Sequence, residues 1–478
     1  MTKSILPTGQ DWLIERMREL GYRVDMGGMC FGIAAMALQE ALVGGLEDFE
    51  RRLLLINNTP NLKDAVEAAK AAKRDLLAEA RVAVIDKYHA KWEDLLEAER
   101  DEIREEIEFL LTQQEHDLLA IEPFFDGINL YFYASFLYRH FFNEENVPIG
   151  QDLLRTFILA KHALDQDEII NIRECSGIYD QAELTSYFAA LRQSFSDLTN
   201  PITLFLSSVD HAMMVIWSPS NKSWILVNPN KLPFMEMNSD QAMAAAVLAG
   251  FSDNALTAFS TQFFTKKGIK EEVESCLPRL EMNARWKGIH TPTVEKARQV
   301  DSANASWFRV AVDRNHEEVA LQLLTLGTDL ILTDTSRNGA LFSAAQYGHL
   351  RLVNKMLEIG ADPNMKCGEA TPLFVAALEG HKEVVRALLA SKADPRIGLA
   401  DGMTPLQIAA RFGHIEIATI LADAVQQWLQ RSAAGVSSVT GQSVSSQSLF
   451  RELPTPPPKK VPARKKPLPP TPRANVPK

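Results

Sequence analysis

Three residues in this 478-residue chain have the types and the settings for nucleophilic chemistry: Cys30, His211 and Asn228. Cys30 stands in GGMCFGIAAMALQEAL, residues 27 to 42, between glycines and an apolar run. A cysteine nucleophile attacks as its thiolate, so it needs help to ionise, a base to take the proton, and a group to orient the base. The apolar run predicts a buried helix from about Phe31 to the stop at Gly44-Gly45. Cys30 then lies at a helix start, where unpaired N–H groups and the helix dipole favour a thiolate. Gly27, Gly28 and Gly32 permit close approach of a substrate to the backbone. The competing reading of Cys30 is a thiol that fills a gap in the core.

The base and its orienter come from a hairpin. HAMMVIW, SPSNKS and WILVN are two apolar runs around a turn cluster, a hairpin signature. Pairing Trp217 with Trp224 sets Met213 opposite Asn228. His211, two residues from Met213, shares its face and becomes a diagonal neighbour of Asn228, roughly 7 Å away at Cα. An asparagine oxygen at that distance can accept from the imidazole.

The elements that must position these groups are helical first and stranded later. DWLIERMREL reads as a short amphipathic helix. The stretch from about 48 to 120 is charged and strongly helical, and reads as two or three helices in a lobe or insertion. FFDGINLYFYASFLYRHFF is aromatic and suits a core. ITLFLSS, beginning at Ile202, is a buried strand. Helices followed by antiparallel strands make an α+β arrangement. Cys175, in RECSGIYD, is a rival nucleophile, but no buried helix is expected after it. Cys276 and Cys367 read as structural, and His89, His116, His140 and His162 fall in helical stretches.

GMCFGIA resembles the nucleophile segment of papain-like cysteine proteases. HAMMVIW followed by WILVNPN is similar to the His and Asp-Pro-Asn segments of YopT-type proteases secreted by bacterial pathogens. The resemblance implies a papain-like domain over residues 1–295 with a helical insertion near 48–120. It makes Cys30 the nucleophile, His211 the base and Asn228 the third member, an asparagine where the YopT pattern has aspartate. Val24 stands six residues before Cys30, where papain-like enzymes carry an oxyanion-hole glutamine.

Downstream the chain repeats. His316, His349, His381 and His414 are separated by 33, 32 and 33 residues, and the last three follow glycine. Thr371-Pro372-Leu373 and Thr404-Pro405-Leu406 run in phase, as do GADPN at 360–364 and KADPR at 392–396. This pattern resembles the ankyrin repeat, an all-α solenoid in which each unit is too small to bury its own apolar face. Four units are expected over 302–431: 302–334, 335–367, 368–400 and 401–431, the first and last acting as caps. Phe374 and Gln407 replace the family's histidine after Thr-Pro-Leu, losing a turn hydrogen bond in each. The repeat histidines read as turn residues and not as ligands. The resemblance implies a protein-binding surface.

Residues 432–478 read as a disordered tail. Lys459-Lys460 and Arg464-Lys465-Lys466 resemble a nuclear-import signal, and Arg464, Pro467 and Pro470 fit an SH3-type ligand. An import receptor and an SH3-type domain are the partners such a tail would take. With net charge −11 overall and +7 within 451–478, the remainder carries about −18. That argues against direct nucleic-acid binding. Four scattered cysteines form no C-x-x-C pair. Neither a disulfide framework nor a metal or cofactor site is expected. The sequence offers no membrane span and no Sec-type leader. Together the two regions resemble AnkH-type ankyrin-repeat effectors of intracellular bacteria. That resemblance implies type IV export into a host cell, cytoplasmic or nuclear residence there, and a host protein as target. Two functions remain open: a thiol hydrolase or acyl transferase steered by the repeats, or a binding scaffold with a degenerate protease-like domain.

Overall fold

The computed structural model describes residues 6–7, 9–22, 29–43, 45–88, 100, 110–132, 169–251, 255–326 and 336–440. Helices α1 (Asp11–Glu19), α2 (Met29–Val43), α3 (Leu46–Asn58), α4 (Leu62–Tyr88), α5 (Gln113–Leu119) and α6 (Ile121–Phe132) precede the strands. Helix α2 is apolar on nearly every face, as the sequence requires of a central element. Ile33, Ala34, Met36, Ala37 and Leu38 are all buried. Within the stretch expected to form a lobe or insertion, α3 and the first turns of α4 pack into this same core. Phe49, Leu53 and Ile56 of α3 and Leu62, Val66 and Ala69 of α4 share one cluster with α2. Each fully buried aliphatic or aromatic side chain contributes about 1.5 to 3 kcal/mol.

The strands are β1 (Ile169–Asp180), β2 (Ile202–Ser207), β3 (Ala212–Ser218), β4 (Ser223–Val227), β5 (Met235–Met237) and β6 (Leu256–Lys266). They form one antiparallel sheet in the order β1-β6-β2-β3-β4-β5. Trp217 pairs with Trp224 in the β3–β4 hairpin. Side chains alternate across a strand, which defines two faces. Phe205, Ala212, Met214 and Val227 pack with α2. Leu204, Met213, Val215 and Trp217 pack with α7 (Gln181–Ser194), α8 (Asp240–Phe251) and α11 (Ala284–His290). Short helices α9 (Lys270–Glu274) and α10 (Leu277–Met282) lead into α11, and α12 (Val294–Arg298) follows it. A buried helix does follow Cys175. Helix α7 begins at Gln181 behind a capping box made by Asp180 and Glu183.

The C-terminal region is a stack of helix pairs: α13 (Trp307–Asp313) with α14 (Glu317–Leu326), α15 (Ser336–Gln346) with α16 (Leu350–Glu358), α17 (Pro372–Leu378) with α18 (Lys382–Ala390), and α19 (Pro405–Arg411) with α20 (Ile415–Thr440). Thr371 and Thr404 cap their helices, and Pro372 and Pro405 take the first helical position, where a missing N–H costs nothing. Gln407 restores the turn bond expected to be lost, because its Oε1 accepts from Thr404 N at 2.9 Å. The turns within the pairs need left-handed backbone. Gly348, Gly380 and Gly413 have φ of 75°, 83° and 79°, and Asn315 takes the same role at 65°, a region Asn tolerates better than most residues. The last helix continues to Thr440, past the expected boundary at 431.

The first pair does not end in a solvent-facing cap. Its helix α13 lies on the sheet, and Ile178 of β1 and Ala258 of β6 belong to the same buried cluster as Trp307, Val310 and Ala311. By strand alternation this is the face that α2 covers further along the sheet.

Candidate functional site

Helix α2 starts two residues earlier than the sequence suggested, which puts Cys30 inside its first turn. The thiol is 3% exposed and donates to the carbonyl of Asp210 at 3.6 Å. Burial pushes Cys30 up to about 11, while backbone hydrogen bonds from Ala212 and Phe31 act to lower it and the Asp210 carboxylate acts to raise it. Desolvation here outweighs those backbone hydrogen bonds.

His211 is fixed by the turn that precedes β3. Ser208 N donates to the His211 carbonyl at 2.8 Å, and His211 N donates to Ser208 Oγ at 3.1 Å. Its Nε2 lies 3.1 Å from Asn228 Oδ1, and its ring meets Phe251 edge-on. Asn228 Oδ1 also accepts from Asn230 N at 2.9 Å. The Asn228 amide nitrogen is itself a donor and cannot accept from Asn230 N–H, so this second bond puts Oδ1 and not Nδ2 on the His211 side. Nε2 of His211 therefore carries the proton, and Nδ1 keeps its lone pair. Burial lowers the His211 pKa, while Asn228 and Asp210 act to raise it.

The structure thus joins His211 and Asn228 as the hairpin register requires. It sets Cys30 against the backbone on either side of His211. Among the described residues no hydrogen bond links the thiol to the imidazole. Cys30 sits with α2 on one face of the sheet, whereas His211 leans toward Phe251 of α8 on the other, and the backbone of Asp210 and Ala212 at the start of β3 is what the thiol meets. Gly32 does not serve a substrate. A Cβ there would lie 2.4 Å from the Ile128 carbonyl oxygen, so Gly32 lets α2 and α6 pack closely. Val24, Gly27, Gly28, His89, His140 and His162 lie outside the described residues, as does the basic tail from 441 on.

The other cysteines have different settings. Cys175 is in the middle of β1, and burial pushes it up to about 12. Cys276 is buried and donates to the Glu272 carbonyl at 3.7 Å. Cys367 is half-buried at a β-bridge to Ala370. Among the described residues no cluster of His, Cys, Asp and Glu could hold a metal, and no helix is long and apolar enough to cross a membrane.

The repeat stack offers the second functional surface. His381 and His414 reach back to the preceding unit, through Nε2 to the carbonyls of Gln346 at 2.8 Å and Leu378 at 3.0 Å. A family model for ankyrin repeats, three copies long, matches residues 308–398 and 341–431. Residues 308–431 are ankyrin repeats. Such repeats build an extended concave surface, which suggests protein–protein binding. No curated protein matches the chain.

Sequence reasoning missed the residues that tie the ankyrin array to the sheet. Trp307 Nε1 donates to Ser176 Oγ at 3.1 Å, and His316 Nδ1 lies 3.0 Å from the same oxygen. Ser176 can accept from the indole and donate to the imidazole at once. Asp301 accepts from Ala258 N at 3.0 Å. Arg314 Nη2 donates to the Ser208 carbonyl at 3.2 Å. The sequence held one signal for this: the period places His316 in phase with histidines that reach backward, and before His316 there is no earlier repeat to reach.

Proposed function

We propose that the chain is a protein-targeted thiol hydrolase: a papain-like domain with Cys30 as nucleophile, His211 as base and Asn228 as orienter, steered by the ankyrin array to its substrate. The observation that carries this reading is the His211–Asn228 bond, built beside the first turn of the helix that bears Cys30. It leaves Nδ1 as the free base. The chemistry requires the Cys30 side chain to turn from the Asp210 carbonyl toward Nδ1. The thiol proton then passes to the imidazole, the thiolate attacks an acyl carbon, and the protonated imidazole returns the proton to the leaving group. Water, or another nucleophile in a transferase, releases the acyl group. The likeness to exported effectors extends the proposal to type IV delivery into a host cell, which a translocation reporter fused to the chain would test.

A second reading has its own support. The Cys30 thiol is buried, hydrogen-bonded to a carbonyl and raised to about 11, which suits a binding scaffold that has lost catalysis. Timed iodoacetamide labelling with peptide mapping separates the two. The hydrolase predicts that Cys30 labels faster than Cys276 and that His211→Ala abolishes the difference. Equal rates, indifferent to His211, leave the scaffold.

A further inference from the structure

The turn between the two helices of each repeat points back toward the preceding unit. At one position of that turn the four repeats carry Arg314, Tyr347, Glu379 and Phe412. In the second repeat, Tyr347 Oη donates to the Asp313 carbonyl at 2.9 Å. In the first repeat the preceding unit is the sheet domain, and Arg314 is what faces it. Arg314 is 8% exposed. One end of its guanidinium donates to the carbonyl of Ser208. Its Cζ lies over the Phe31 ring, 5.4 Å from the ring centre.

Those two contacts belong to the two segments that carry the candidate chemistry. Phe31 follows Cys30 on α2 and packs against Phe205 of β2. Ser208 opens the turn that ends at His211. Its Oγ accepts from His211 N and donates to Asp210 Oδ1 at 2.9 Å, and the Asp210 carbonyl holds the thiol. A single side chain from the array therefore spans the Cys30 segment and the His211 segment. Arginine suits this place because its planar fork can stack on a ring while it donates, which a lysine ammonium does less well.

We propose that Arg314, carried by the first ankyrin repeat, is a positioning residue for the thiol site, holding the Cys30–Phe31 helix start and the Ser208–His211 turn at a fixed spacing. The inference rests on the reading of Cys30, His211 and Asn228 as a thiol site. It adds that the site is complete only when the array is docked. The array then does more than recruit a target, because its first turn forms part of the frame on which sulfur and imidazole meet.

The test uses the full chain and two readings: iodoacetamide labelling of Cys30, and the ¹⁵N–¹H signals of the His211 ring, assigned by their loss in His211→Ala. Arg314→Met is expected to slow Cys30 labelling about tenfold or more, since misplacement by about 1 Å can cost a hundredfold. It should also move the His211 ring signals while leaving those of His381 and His414 in place. Arg314→Lys should fall between Met and wild type. Arg351→Met, at an exposed ion pair with Glu318 in the second repeat, should match wild type. If Arg314→Met does not fold, Phe31→Leu removes the stacking partner and is read in the same way. His211-dependent labelling that is unchanged in these variants overturns this inference and leaves the proposed function standing. Wild-type Cys30 that labels no faster than Cys276 overturns both.

Discussion

Replacing Asn228 by leucine removes the acceptor shared by His211 and Asn230 while keeping much of the side-chain volume. The two donors do not lose equally. Asn230 is exposed, so its N–H can turn to water. The imidazole is buried and bonded through Nε2 to Asn228 alone, so that N–H is stranded. An orphaned buried donor costs about 1 to 3 kcal/mol, which makes the local structure about 5 to 150 times less populated. His211→Phe removes the donor instead and leaves Asn228 its bond to Asn230. In the double variant no donor is stranded, so the two losses should not add; the coupling should be at least about 1 kcal/mol. Hydrogen exchange of hairpin peptides over 212–227 reads the opening free energy of that segment. If the two single effects sum to the double within about 0.5 kcal/mol, Asn228 does not hold the imidazole, and the tautomer assigned to His211 loses its basis.

Gly32→Ala should destabilise the domain by about 1 to 3 kcal/mol through overpacking against α6, seen as a lower urea midpoint; an unchanged midpoint would mean that α2 and α6 are not in close contact. Ser176→Ala strands the Trp307 indole N–H under the first repeat, at a cost of about 1 to 3 kcal/mol, and should increase hydrogen exchange in α13; unaltered protection there would argue against the clamp. Acid should weaken the fold through His290, whose Nδ1 bonds the Trp286 carbonyl and whose Nε2 faces Tyr179 Oη. Burial pushes His290 from 6.5 down to about 3, so the unfolded chain binds this proton more tightly. Stability from this group is complete above about pH 6.5 and falls by about 1.4 kcal/mol per pH unit below it. The loss is about 2 kcal/mol by pH 5, and His290→Gln should flatten that slope in a pH series of melts. A slope identical in the variant would assign the acid sensitivity elsewhere.

The legible parts of this chain were those whose signals are local. The hairpin register could be read because two tryptophans flank a turn cluster. The repeats could be read because turn chemistry recurs at a fixed period. Strand β1 could not, because Glu174 and Ser176 serve the docked repeat and make a buried strand look like a polar loop. Thr257, Ser260, Thr261 and Gln262 hide β6 in the same way. Gly32 announced that something approaches closely but not that it is the backbone of α6. The final helix was concealed by its Ser, Gly and Val content. Once nucleated, a helix adds a hydrogen bond for each further residue and can extend through such a stretch. Arg314 had no local signal at all, since its partners stand 106 and 283 positions away.

The clasp between Ser176, Trp307 and His316 anchors the first repeat to the sheet. A solenoid ordinarily has two free ends and can gain or shed units at either. Here the leading end is spent on the sheet, so the stack has a fixed origin and a direction. Additional units can be accommodated only at the trailing end, beyond the α19–α20 pair, and the distance of the distal fingers from the sheet is set by the number of units between.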